Sequence, residues 1–162
     1  MANVYVGLGS NIDPEHNLHL GLRELRDRFG ELQLSAVYRS KAVGFEGDDF
    51  LNLVAEFESH ESPREICEYI EVIHNIVGRD RESGKWESRQ LDIDLLLYND
   101  LVLDEPPVRV PRDDVLKYSF VLRPLAEIAP DLAHPVTGKT MLEHWQEFDE
   151  ASHPLDVVGV II

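Results

Sequence analysis

Two stretches of helical periodicity, each set between stretches that alternate every two residues, run in the order β–α–β–β–α–β over residues 2–98. That order predicts an α+β fold with a split βαβ core, in which an antiparallel sheet carries both helices on one face. Short strands and helices after residue 100 are expected to cover the other face. The chain has 162 residues, 43% of them hydrophobic and 28% charged, which suits a single domain over 1–162 with a core of its own.

Each element has its own signals. Ala2–Leu8 reads as a strand with Val4 and Val6 on one face, and Gly9-Ser10-Asn11 as a turn. Asp13 suits an N-cap and Pro14 the first helical position; Leu18, Leu22, Leu25 and Phe29 then form a core-facing stripe that Gly30 ends. His16 and His19 flank that stripe and read as surface or packing residues. Residues 31–39 alternate as a strand, and Ser40 to Asp49, with Gly44 and Gly47, is expected to be a mobile loop. In the strand Phe50–Glu58, Phe50, Asn52 and Val54 share one face and Leu51, Leu53 and Ala55 the other.

Ser62-Pro-Arg-Glu65 is a capping box, opening a helix that carries Ile66, Ile70, Ile73 and Val77 and stops at Gly78, with His74 near its end. A strand over 90–98 and a turn at Asn99-Asp100 follow. Leu101–Leu103 and Val108–Val110 read as short strands around Pro106-Pro107, where proline suits an edge. Phe120–Ile128, ended by Pro130, and Met141–Phe148 read as helices. The apolar tail from Val157 to Ile162 is expected to be a last edge strand or a partner contact. The whole is ferredoxin-like in type.

Charge narrows the function classes. Thirty-one acidic residues against fifteen basic ones give a net charge of −16, which argues against a nucleic-acid partner. The one cysteine, Cys67, excludes an intramolecular disulfide and a multi-cysteine zinc site, and reads as a small buried filler. No stretch approaches 18 apolar residues and the N-terminus lacks a signal-peptide pattern, so a cytoplasmic protein without membrane contact is expected.

The segment from Arg89 to Tyr98 runs against propensity. Asp92 and Asp94 fall on one face of a strand, about 7 Å apart, although carboxylates are disfavoured in mid-strand. They repel each other unless a cation sits between them, and Mg²⁺ is the usual one where phosphates are handled. Just upstream, Arg79, Arg81, Lys85 and Arg89 occupy a glycine-containing loop. Cations beside paired carboxylates suggest a site for a polyphosphate with its metal ions; a solvated salt-bridge cluster is the plainer reading of the same residues.

A longer series settles on one family. Val6-Gly-Leu-Gly-Ser-Asn11, Tyr38-Arg-Ser40, Asp49-Phe-Leu-Asn52, Gly78-Arg-x-Arg81, Trp86, Arg89-x-Leu-Asp-Ile-Asp94 and Phe120-Val-Leu-x-Pro-Leu-x-Glu-Ile-Ala-Pro130 occur in that order. The series resembles 6-hydroxymethyl-7,8-dihydropterin pyrophosphokinase, a folate-pathway enzyme, from about residue 3 to residue 146. The resemblance implies transfer of pyrophosphate from ATP to a hydroxymethyl-dihydropterin, with release of AMP. It implies that Asp92 and Asp94 hold two Mg²⁺ ions. Arg79 and Arg89 would clamp phosphate as catalytic residues, and Arg81, Trp86, Ile93 and Arg112 would join them around ATP, Arg81 and Trp86 on a loop that closes over it. Phe50 and Phe120 would sandwich the pterin, Asn52 would hydrogen-bond its edge, and Val43 and Gly44 would supply backbone contacts. A monomer is expected, with a homodimer compatible.

The chain departs from the family pattern at four places. Ser88 stands where proline is usual, Arg112 where histidine is, Tyr118 where arginine is, and His74 where an acidic residue is common. These leave two other readings open: a diverged paralogue acting on another pterin or small alcohol, and a catalytically impaired pterin-binding module.

Overall fold

The computed structural model describes residues 1–42, 47–78 and 91–159. The strand β1 (Ala2–Ser10) lies inside the sheet, paired antiparallel on one side with β4 (Phe50–Ser59) and on the other with β5 (Asp92–Tyr98). The sheet continues from β4 to β3 (Val37–Ser40) and β8 (Asp156–Val158), giving the order β5-β1-β4-β3-β8, and the short β2 (Gln33–Leu34) also pairs with β4. Every one of these pairings is antiparallel, as the β–α–β–β–α–β order requires. The tail does supply an edge strand, which lies against β3.

Alternation along the strands sends side chains into two separate cores, one on each face of the sheet. On one face α1 (Pro14–Phe29) and α2 (Pro63–Val77) bury Leu18, Leu22, Leu25, Ile66, Ile70 and Ile73 against Val4, Val6, Leu53, Ala55, Ile93 and Leu95. On the other face α3 (Asp114–Lys117), α4 (Ser119–Ile128) and α5 (Met141–Glu147) bury Val115, Leu122, Leu125 and Met141 against Tyr5, Val54 and Leu97. The hairpin β6 (Leu103–Glu105) and β7 (Val108–Val110) does not follow the later helices. Val108 and Val110 pack into the core under α1 and α2, so the segment beyond residue 100 serves both faces rather than one.

Several local expectations are corrected. β1 runs through Gly9 and Ser10, which were expected to turn, because both pair with β4. Asp13 precedes α1 but makes no side-chain cap: its backbone is left-handed, at φ 41°, and its carbonyl accepts from Asn17 N–H at 3.0 Å. Gly30 ends α1 at φ 85°, a conformation open to glycine at little cost. The strand expected over 31–39 breaks into β2 and β3 at Ser35-Ala36. There the Ser35 side chain takes a place in the ladder, its Oγ accepting from Val54 N–H at 2.9 Å, while Ala36 N–H turns away to the Glu127 carboxylate.

The phase of β5 also changes. Val6 stands opposite Leu95 and Tyr5 opposite Leu97, so Leu96 is an extra residue, a bulge. Alternation therefore slips after Leu95: Leu96 and Leu97 both enter the second core and Tyr98 packs with the first. α3 carries no strong sequence signal and was not expected.

α2 begins as its sequence indicates. Ser62 Oγ accepts from Glu65 N–H at 3.1 Å and Glu65 Oε1 accepts from Ser62 N–H at 2.8 Å. Ser62→Ala is expected to cost about 1 kcal/mol of stability, read as a lower urea midpoint at unchanged slope.

Candidate functional site

The register of four strands assembles the site. Asp92 stands opposite Gly9, Gly9 opposite Asn52, and Asn52 opposite Tyr38, which makes one row across β5, β1, β4 and β3. Asp94 stands opposite Gly7 in the next row. Because paired residues share a face, Asp92, Asp94 and Asn52 lie on the side of the sheet away from α1 and α2. Phe50, two residues before Asn52, shares that face. Between Asp92 and Asn52 the strand β1 contributes only Gly9, while opposite Asp94 a Cβ on Gly7 would lie 3.4 Å from Leu96 Cδ1.

Gly9 matters for what stands next to it. A Cβ there would lie 3.1 Å from Asn52 Oδ1 and 3.8 Å from the Phe50 ring, tight against the first. Asn52 itself is buried and its orientation is fixed. Its Nδ2 lies 2.8 Å from Ser40 Oγ and 3.3 Å from the Tyr38 carbonyl oxygen, which can only accept. The amide therefore spends its donors on β3 and turns its carbonyl oxygen toward Gly9 as an acceptor. Tyr38 anchors the neighbouring α4 through its hydroxyl, which donates to Glu127 Oε1 at 2.6 Å. Burial, then that bond to a carboxylate, pushes the Tyr38 phenol up, so it stays protonated as the donor.

Arg112 closes the carboxylate end. Its backbone N–H donates to Leu96 O at 2.9 Å, and its guanidinium lies 3.5 Å from Asp94 Oδ1 and 3.4 Å from Asp114 Oδ2. Both separations are those of ion pairs rather than of good hydrogen bonds. Burial works against the guanidinium charge, but Asp94 and Asp114 outweigh it and hold its pKa above the ordinary value. Arg112 is thereby a counter-ion to one of the two strand carboxylates.

The remaining expected residues divide. Phe120, in the first turn of α4, is half-buried and stacks on Tyr118, ring centroids 5.0 Å apart and planes 17° from parallel. Tyr118 thus extends an aromatic surface where the family pattern has a cation. Ile93 points its side chain into the core beneath α2, so only its backbone carbonyl, on the outer edge of β5, is left for a ligand. Val43, Gly44, Arg79, Arg81, Trp86 and Arg89 lie outside the described residues. A cleft of about 480 Å³ opens beside Arg112, bordered by the β6–β7 hairpin and by His134 to Thr137, but neither Asp92 nor Asp94 lines it.

Two features of the site went unread in the sequence. Gly7 and Gly9 alternate within a strand, which leaves room for the Leu96 side chain over the first and the Asn52 amide beside the second. His74 reads in the sequence as a helix-end residue and a departure from the family pattern, yet it is buried and bonded to the backbone between the two aspartates, its Nε2 accepting from Ile93 N–H at 2.9 Å.

Known proteins match this chain over most of its length. The family described as 7,8-dihydro-6-hydroxymethylpterin-pyrophosphokinase (HPPK) matches residues 5–130. A 2-amino-4-hydroxy-6-hydroxymethyldihydropteridine pyrophosphokinase of Aquifex aeolicus is 39% identical over 145 residues, covering 88% of this chain and 90% of its own. The same-named proteins of Synechocystis and Haemophilus influenzae are 37% and 34% identical, over 89% and 83% of this chain and 75% and 86% of theirs. Among solved structures, Plasmodium falciparum HPPK-DHPS with pterin and p-hydroxybenzoate superimposes with a TM-score of 0.73 at 14% identity. That match covers 90% of this chain but 43% of the other, and it speaks for the fold.

Proposed function

The chain belongs to the 7,8-dihydro-6-hydroxymethylpterin-pyrophosphokinase family, and from that premise we propose that it transfers pyrophosphate from ATP to 6-hydroxymethyl-7,8-dihydropterin in folate biosynthesis. The pterin hydroxyl oxygen forms a bond to the β-phosphorus, the bond from that phosphorus to the α–β bridging oxygen breaks, and AMP leaves. The hydroxyl proton is lost to solvent. The observation that carries this reading is the row in which Asp92 and Asn52 flank Gly9, with Asp94 opposite Gly7 on the same face of the sheet.

The residues present fit Mg²⁺. Asp92 and Asp94 are half-buried hard oxygen donors, two apart on one strand face. Among the described residues no group of three or more His, Cys, Asp or Glu gathers to form an all-protein cage. Mg²⁺ bound by one or two carboxylates, with substrate phosphates and water completing the shell, needs no such cage. When bound there, the metal would neutralise phosphate charge and orient the phosphates for in-line attack.

The protein groups divide the rest of the work. Asn52 Oδ1, turned toward Gly9, accepts a hydrogen bond from the N–H-rich edge of the pterin. Phe50 and Phe120 supply flat apolar surfaces for its ring. Arg79, Arg81, Trp86 and Arg89 are proposed to hold the nucleotide, the guanidinium fork suiting phosphate oxygens. Arg112 offsets the charge of Asp94. Relatives of the same name covering most of this chain do not favour a diverged or impaired paralogue.

The proposal is tested by chromatography of products. AMP and a pterin diphosphate should form from ATP only when both Mg²⁺ and 6-hydroxymethyl-7,8-dihydropterin are present; ADP as the product would overturn it. Asp94→Asn should lower kcat by on the order of 10²-fold or more with an unchanged circular dichroism spectrum, and near-normal turnover would refute the metal assignment. Gly9→Ala, which crowds Asn52 Oδ1, should weaken pterin binding by about 10-fold, the loss of one hydrogen bond in the site. Calorimetry should show that loss with ATP binding preserved.

A further inference from the structure

β5 carries both carboxylates, yet it is an edge strand: β1 pairs with one side of it, and among the described residues no strand pairs with the other. Along an antiparallel strand, backbone groups point alternately to either side. Asp92 and Asp94 are paired toward β1, opposite Gly9 and Gly7, and the Ile93 peptide between them faces the open edge. Edge strands left to solvent twist and fray more freely than strands held on both sides. The open edge here is closed at Ile93 by a side chain.

That side chain is His74, in the last turn of α2. Its ring is buried, and Nε2 accepts from Ile93 N–H at 2.9 Å. A nitrogen that accepts carries no hydrogen, so the imidazole hydrogen sits on Nδ1, which lies 2.9 Å from Glu71 Oε2 one turn earlier on the helix. Glu71 thus fixes the tautomer and the ring plane, and His74 fixes the peptide between the two carboxylates. The helix end is itself held, since Gly78 N–H donates to the His74 carbonyl at 2.7 Å.

We propose that His74 is a positioning residue for Asp92 and Asp94, aimed by Glu71, so that the two carboxylates are presented at a fixed separation to the metal-bound phosphates. This rests on the reading of Asp92 and Asp94 as Mg²⁺ ligands. An outer hydrogen bond of this kind, holding the element that carries the ligands, is the usual means of orienting a metal site. Glutamine can reproduce it, because its amide oxygen accepts from Ile93 N–H while its amide nitrogen donates to Glu71. Leucine fills the volume and does neither.

The test uses Mn²⁺ as the probe, its binding followed by electron paramagnetic resonance in the presence of α,β-methylene-ATP, with melting recorded alongside. His74→Leu is expected to bind Mn²⁺ about 10-fold more weakly than wild type, and His74→Gln to recover most of that loss. Glu71→Ala, at an exposed position, is expected to weaken Mn²⁺ binding by about 3-fold, below the full outer-shell effect, with its melting temperature unchanged. Wild-type affinity in His74→Leu overturns the proposal, and so does equal impairment of the Leu and Gln variants, which would make the role one of packing. Should His74→Leu not fold, wild-type Mn²⁺ affinity in Glu71→Ala overturns it. Wild-type protein that takes up no Mn²⁺ with the nucleotide analogue would instead refute the metal reading itself.

Discussion

The structure depends on β1 being hydrogen-bonded along both of its edges. Nine residues pair with β4, and six of the same residues pair with β5. Those two registers decide which residues of distant segments become neighbours. They bring Asp92, forty residues beyond Asn52, into one row with it, and they place glycine between the two. A slip of one residue in either register would turn Asp92 and Asp94 into the core beneath α1 and α2. The burial of Ile93 and Leu95 on that side makes such a slip costly. Hydrophobic packing on one face thereby holds the chemistry of the other in place.

The two faces are built for different ends. Under α1 and α2 the core is a continuous aliphatic layer, closed at one end by Phe29 stacked on Phe57 at 4.2 Å. On the opposite face apolar packing is confined to the part of the sheet under α4 and α5, around Val54, Leu97 and Leu125. The rest of that face carries the carboxylates, Asn52 and Phe50. The Leu96 bulge marks the change along β5: before it, side chains on this face are acidic, and beyond it they are leucines.

Most of the fold could be read from the chain because its signals are local. The capping box at Ser62, the leucine stripe of α1 and the alternation of β4 each depend on residues close in sequence. What escaped reading depends on partners far away. The break between β2 and β3 follows from Ser35 bonding Val54 and from Glu127, ninety-one residues on, capturing Ala36 N–H. The bulge at Leu96 is visible only against β1, and the packing of the β6–β7 hairpin only against α2. The same division holds in the site. Asp92 and Asp94 announced themselves by being acidic in a strand, whereas His74 resembles any histidine near a helix end until β5 is laid beside it. The likeness to a family named the aromatic and arginine positions, but it could not show that Arg112 would be spent on Asp94 and Asp114.

That arrangement of Arg112 bears on the charge the site presents to its ligands. Among the described residues, Arg112 is the guanidinium paired with Asp94 and Asp114, and Asp92 adds a third carboxylate, on a protein whose net charge is −16. Three carboxylates against that one guanidinium draw a divalent cation. Under the proposed function, such a cation would offset the carboxylates where the phosphates come to lie, and Arg79, Arg81 and Arg89 would meet the charge that remains.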